Sequence, residues 1–261
     1  MQGLISMSED VMPPAQESPF FRGLIDAYAL GETNWALYTA DHFPDRAAYR
    51  HLNRQLLALY LTHLRTRFAT DKRLVQKAPN IGPRIAAIAE LLPNAKFVVM
   101  VRDLRAVVAS QANRLDRANR PLNLPKWVND FVKLYRNLIA AQSALAGRLI
   151  FVRYEHLVTN ADATMAEVAS FLSIRLPSDI GRRPWQHKRS KEEASASGLD
   201  GRPVSTASLT RYETALTPDA LRVLEDKRAA IEAKIGMPVF YDEYRTRGPS
   251  AKPRTADERG A

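Results

Sequence analysis

The chain has 261 residues (29.3 kDa), of which 46% are hydrophobic and 25% charged, with no cysteine. That is a globular composition, and it excludes disulfides, thiolate nucleophiles and Cys-ligated zinc or iron–sulfur clusters. Thirty-eight Lys and Arg against 28 Asp and Glu leave a net charge of +10, which favours anionic partners without naming one.

Leu4-Ile5-Ser6-Met7 reads as a short buried strand that ends in the acids Glu9 and Asp10. Pro13, Pro14 and Pro19 predict an irregular connection after it. From Arg46 to Phe68, Leu52, Leu56, Leu59, Tyr60, His63, Leu64 and Phe68 recur at steps of three and four, the spacing of an amphipathic helix. A second helix is expected over Pro83 to Leu92. Lys96 to Val101 is apolar, β-branched and sharply bounded, as expected for a fully buried strand. Asp103 is placed to cap the helix that follows. Pro121 and Pro125 interrupt it, and Trp127, Phe131, Leu134, Tyr135, Leu138 and Ala141 mark another helix, ended by Gly147.

Leu149 to Val152 reads as a second buried strand, and Thr159 or Asn160 as the cap of a helix carrying Met165, Val168, Ala169 and Leu172 inward. This alternation predicts an α/β fold with parallel strands and crossover helices. Residues 175–203 read as irregular. Thr217-Pro218-Asp219 opens the last helix. One domain is expected over 1–244, followed by a disordered basic tail over 245–261.

No apolar run approaches the roughly 20 residues of a membrane span, and no basic segment followed by an apolar stretch opens the sequence. A soluble, cytoplasmic protein without a membrane partner is the expectation. The histidines at 42, 51, 63, 156 and 187 lack metal-ligand spacing, so no metal is expected.

Chemistry concentrates after the first strand. Arg102 stands at its carboxyl end, where open α/β sheets bind ligands. Ser110 lies about two turns into the next helix, and Arg114 one turn further along that face. Two guanidinium groups and a hydroxyl suit a phosphate. The alternative is a strand-end ion pair between Arg102 and Asp103, with Ser110 an ordinary helix residue.

Phe97 to Ser110, with its Arg-Asp-x-Arg and a serine eight residues after the first arginine, resembles the 3′-phosphate-binding motif of the sulfotransferase family. The Pro93-x-Ala-Lys-Phe lead-in and the later Tyr154-Glu155-His156-Leu157 are similar to the tyrosylprotein and bacterial branches. The resemblance spans residues 74–215. It implies a P-loop-NTPase-like parallel sheet flanked by helices, and transfer of a sulfuryl group from 3′-phosphoadenosine 5′-phosphosulfate (PAPS) to an acceptor hydroxyl on a small molecule, carbohydrate or tyrosine.

By that resemblance Arg102, Ser110 and Arg114 hold the 3′-phosphate and Tyr154 contacts the nucleotide. Lys77, in Lys77-Ala78-Pro79, neutralises charge growing on the bridging oxygen. Glu9 is the base toward the acceptor, with Asp10 as the alternative. Residues 198–212 resemble the late loop that closes over the nucleotide, with Ser205, Ser208 and Arg211 as donors. Leu104 departs from the proline of many relatives, and Thr217 stands near where they often carry a basic residue. The run Arg182 to Lys191 could face an acidic acceptor or be a solvated loop.

The family's glycine- and hydroxyl-rich loop for the 5′-phosphosulfate has no counterpart string here. The first strand, that loop and the first helix are therefore expected to be missing from the sheet. Two readings follow: a start internal to a longer gene, or a fragmentary or degenerate family member that only binds 3′-phosphonucleotides. A basic nucleic-acid-binding protein is the remaining alternative, with charge as its only signal. Acceptor identity and oligomeric state are not written in the sequence.

Overall fold

The computed structural model describes residues 1–12, 18–77, 82–184 and 203–244. At its centre two parallel strands, β1 (Phe97–Val101) and β2 (Leu149–Arg153), pair in register from Phe97↔Leu149 to Val101↔Arg153. The crossover between them is made by α5 (Leu104–Arg117) and α6 (Leu124–Ala144). Asp103 caps α5 as expected, its Oδ1 accepting the Arg105 amide at 2.8 Å. Asn123 caps α6, accepting the Lys126 amide at 3.0 Å, with Pro125 in the first turn.

Alternating side chains divide the molecule into two cores. Phe97, Val99 and Val101, with Leu149 and Phe151, join the larger core. It is built with α2 (Pro19–Thr33), α3 (Arg46–Phe68), α4 (Ile85–Leu91), α5 and α6. Val98, Met100, Ile150 and Val152 face the smaller core. That core holds α1 (Gln2–Ile5), α7 (Tyr154–Thr159) and α8 (Ala161–Leu172). The expected fully buried β1 is therefore half-buried on alternate residues, because the second layer is thin over Val98 and Met100.

Several other expectations are corrected. Leu4-Ile5 is helical, not a strand: amides of Ile5 and Ser6 bond to the carbonyls of Met1 and Gln2. Extended pairing begins only at Val11, which bridges Arg73 in parallel. The proline-rich connection contains α2, whose Ser18 accepts the Phe21 amide at 3.0 Å with Pro19 in the first turn. Neither Thr159 nor Asn160 caps α8 through its side chain. The Thr159 hydroxyl instead donates to the Glu155 carbonyl at 2.8 Å.

α6 stops at Ala144, and Gly147, at φ +73°, turns the chain three residues later into β2. α3 has the expected bounds, but its inward row is Tyr49, Asn53 and Leu57, and Leu52, Leu56 and Leu59 remain exposed. α2 and α4 pack on the first row and leave the second uncovered.

The carboxyl-terminal part forms α9 (Tyr212–Ala215), α10 (Pro218–Asp226) and α11 (Arg228–Ile235). The expected last helix is thus two, parted at Lys227. Val239–Tyr241 then runs buried beneath the end of β1: the Leu104 amide donates to the Val239 carbonyl at 2.8 Å, and the Tyr241 amide to Asp103 Oδ2 at 2.8 Å.

Candidate functional site

The parallel register ends at Val101↔Arg153, so the next residue of each strand, Arg102 and Tyr154, emerges at the same edge. The Arg102 guanidinium lies 4.3 Å from the Tyr154 ring centroid. Its Nη2 donates to the Ser208 carbonyl at 3.3 Å, and the Tyr154 and Ser208 hydroxyls are 2.6 Å apart. Arg102 Nε is buried and finds no hydrogen-bond partner. A planar cation is thus held by an aromatic face, with a donor left unspent in a place where water does not reach it.

The segment 203–211 carries Ser208 into this site and leads to α9, which packs on α5. Ser205 turns its hydroxyl back on its own loop, accepting the Ala207 amide at 3.2 Å. Arg211 is exposed at the start of α9. Ser110 and Arg114 are exposed on α5, one turn apart as the spacing requires. Three expected residues, Arg102, Tyr154 and Ser208, therefore touch, while Ser110, Arg114, Ser205 and Arg211 lie on the two elements that border them.

The scaffold beneath the site is ionic. Arg105 is fully buried and donates to both oxygens of Asp103, Nε at 3.0 Å and Nη2 at 2.6 Å. Its Nη1 reaches Glu225 at 2.7 Å and Asp242 at 3.0 Å. Asp103 therefore pairs with Arg105, not with Arg102 as the strand-end ion-pair reading required. Glu155, also buried, accepts the Asp103 amide at 3.0 Å and ties the end of β1 to the start of α7.

Burial raises the Glu155 pKa, against the hydrogen bond from the Asp103 amide. Arg153 lies 3.3 Å from the Tyr241 ring centroid and pairs with Glu243. Sequence reasoning missed Arg105, Glu155 and Arg153 as a unit. Its only signal was their place beside Arg102 and Tyr154, because their partners Glu225, Tyr241 and Asp242 come from the far end of the chain.

Glu9 and Lys77 are both exposed. Asp10 is committed elsewhere: Arg175 donates to it from the amide at 2.8 Å and from Nη2 at 3.0 Å. Those bonds lower its pKa to about 2. Ala78 and Pro79 of the lysine motif, most of the basic run 182–191, residues 198–202 of the late loop, and the tail 245–261 lie outside the described residues.

Charged and hydroxyl groups thus gather at the carboxyl edge of a parallel sheet in an α/β protein, the edge at which open α/β sheets take their ligands. The family is specific: the sulfotransferase family profile matches residues 8–178, and the chain belongs to that family.

A "Putative protein-tyrosine sulfotransferase" of Caenorhabditis briggsae is 27% identical over 168 residues, 59% of this chain and 57% of that protein. Its Caenorhabditis elegans namesake is 27% identical over 161 residues, 59% of this chain and 61% of its own. The chain thus spans about three-fifths of the length of these relatives. The sulfotransferase domains of the curacin biosynthetic pathway and of the Synechococcus PCC 7002 olefin synthase share the fold. Their TM-scores are 0.53 and 0.54 at 14% and 15% identity, covering 86% of this chain and 91% and 88% of theirs.

Proposed function

We propose that the chain binds PAPS through its 3′-phosphate at Arg102 and transfers the sulfuryl group to an acceptor hydroxyl. The observation that carries this reading is the stack of Arg102 on Tyr154 with a buried, unpartnered Nε. The donor set fits: a guanidinium already oriented offers a fork to phosphate oxygens at little further ordering cost. Ser208, hydrogen-bonded to Tyr154, fixes the loop beside it. Ser110 and Arg114 on α5, and Ser205 and Arg211 on the late loop, are the remaining proposed donors.

In the reaction the acceptor oxygen forms a bond to sulfur as the bond from sulfur to the bridging phosphate oxygen breaks. Glu9 takes the acceptor proton; Asp10, held ionised by Arg175, is the poorer base. Lys77 offsets the charge that grows on the leaving oxygen. Protein tyrosine is the acceptor class named for the relatives, and it is the first to try.

The test is formation of adenosine 3′,5′-bisphosphate from PAPS with tyrosine peptides and phenolic or sugar alcohols as acceptors. Acceptor-dependent product, lost in Lys77→Ala and Glu9→Gln with nucleotide binding intact, is expected. Nucleotide binding without product from any acceptor would contradict transfer and leave a binder of 3′-phosphonucleotides.

A further inference from the structure

We propose, resting on the reading of Arg102 as the 3′-phosphate anchor, that Glu155 is a positioning residue for the nucleotide site. Its side chain stands in for the strand rung that would otherwise fix Arg102 against Tyr154.

In the β1–β2 ladder an amide of β1 donates to the carbonyl one residue before its partner. Phe97, opposite Leu149, thus donates to the Arg148 carbonyl at 2.7 Å. Continued past Val101↔Arg153 by the same rule, Asp103 falls opposite Glu155, and its amide would donate to the Tyr154 carbonyl. α7 begins at Tyr154, so that carbonyl is turned into the helix. The Asp103 amide donates instead to Glu155 Oε1 at 3.0 Å. A side-chain oxygen therefore adds the rung that the backbone no longer supplies.

The rung acts on Arg102 because the Asp103 amide belongs to the peptide plane that leaves Arg102. Fixing that plane sets the backbone from which the guanidinium projects, and Glu155 is bonded directly to Tyr154, the other half of the stack. Asp103 is also held through its side chain, which accepts the amides of Arg105 and Tyr241, both at 2.8 Å. Of these contacts, only the one to Glu155 crosses to the chain segment that carries Tyr154. Glu155 is 3% exposed. Its Oε2 makes no hydrogen bond among the described residues and lies 3.7 Å from Arg153 Nε, so Oε1 is the atom that ties the two strand ends.

Two conservative variants separate reach from charge. Glu155→Gln keeps the side-chain length and an oxygen for the Asp103 amide, and loses the charge. Glu155→Asp keeps the charge and withdraws the oxygen by one methylene. Calorimetric titration with adenosine 3′,5′-bisphosphate should show most of the affinity retained in Glu155→Gln. Glu155→Asp should lose about five- to tenfold, the range for one hydrogen bond that preorganises a site. In the Arg102→Ala background Glu155→Asp should cause no further loss, because its effect passes through Arg102. A role in stability alone would lower the melting temperature and leave both titrations unmoved.

Unchanged affinity in Glu155→Asp, or an undiminished further loss in the Arg102→Ala background, overturns the inference. A cooperatively melting Glu155→Gln that loses the affinity overturns it independently of how Glu155→Asp folds. Tighter binding by Glu155→Gln, with Glu155→Asp like the parent chain, also overturns it and makes Glu155 a repelling charge. If Arg102→Ala alone leaves the affinity unaltered, the reading of Arg102 fails and the inference fails with it.

Discussion

Arg102 and Tyr154 are 52 residues apart in sequence, yet the guanidinium lies 4.3 Å from the ring centroid. Each is the first residue after one of two strands that end in register at Val101↔Arg153. The strand ends fix both backbones, and the stack fixes the plane of the guanidinium before any ligand arrives. Preorganisation of this kind lowers the ordering cost of binding a phosphate.

Replacing Arg102 separates charge from geometry. Arg102→Ala should weaken adenosine 3′,5′-bisphosphate by roughly 10- to 100-fold, the range for losing a charge-assisted fork. Arg102→Lys keeps the charge and loses the planar stack, so it should recover only part of that affinity. Fluorescence or calorimetric titration of both variants checks this, and full recovery by lysine would reduce the site to simple charge attraction.

Tyr154→Phe retains the ring under Arg102 and removes the hydroxyl bonded to Ser208. The 203–211 segment should then loosen while the fold and the Arg102 stack persist. Faster amide exchange confined to that segment, with a several-fold loss of nucleotide affinity from one missing hydrogen bond, is the expected pair of results.

Arg105 predicts a stability effect. Arg105→Ala leaves the carboxylate of Asp103 buried without its ion pair, which costs about 3–5 kcal/mol in such sites. Arg105→Met combined with Asp103→Asn should cost less than the sum of the two single changes, because the pair acts as a unit. Urea denaturation of the four proteins measures the coupling.

How far this site was legible in the sequence follows from where its partners lie. Arg102 could be placed because a β-branched run ending in Arg-Asp announces a strand and its carboxyl edge. Arg105 could not, since Glu225 and Asp242 meet it only after α10 and α11 have folded back. α2 was hidden behind its prolines, although Ser18-Pro19 is a good helix start and Phe21, Ile25 and Tyr28 repeat at helical spacing. On α3 the periodicity was right and the buried face was not: two apolar rows satisfy the same spacing, and only packing by α2 and α4 selects between them.

Glu155 makes the stability pH-dependent in a direction opposite to the usual carboxylate. Burial raises its folded pKa above the unfolded value. The folded state therefore binds more protons in that interval, and stability falls as pH rises from the unfolded pKa through the folded one. Glu155→Gln keeps an oxygen to accept the Asp103 amide and should flatten this slope. Melting temperatures of both proteins across the mildly acidic range test the sign. Asp10, with its pKa lowered by Arg175 to about 2, acts in a separate, more acidic window: its contribution is present above the unfolded pKa and lost as pH falls through the folded one.

The measurement that bears most directly on the central claim is calorimetric titration of the chain with adenosine 3′,5′-bisphosphate against adenosine 5′-phosphate. Clear preference for the 3′-phosphorylated ligand, abolished by Arg102→Ala in a protein that still melts cooperatively, is the predicted result. Equal affinity for the two nucleotides, or a preference that survives Arg102→Ala, would contradict the assignment of this strand end as the 3′-phosphate site.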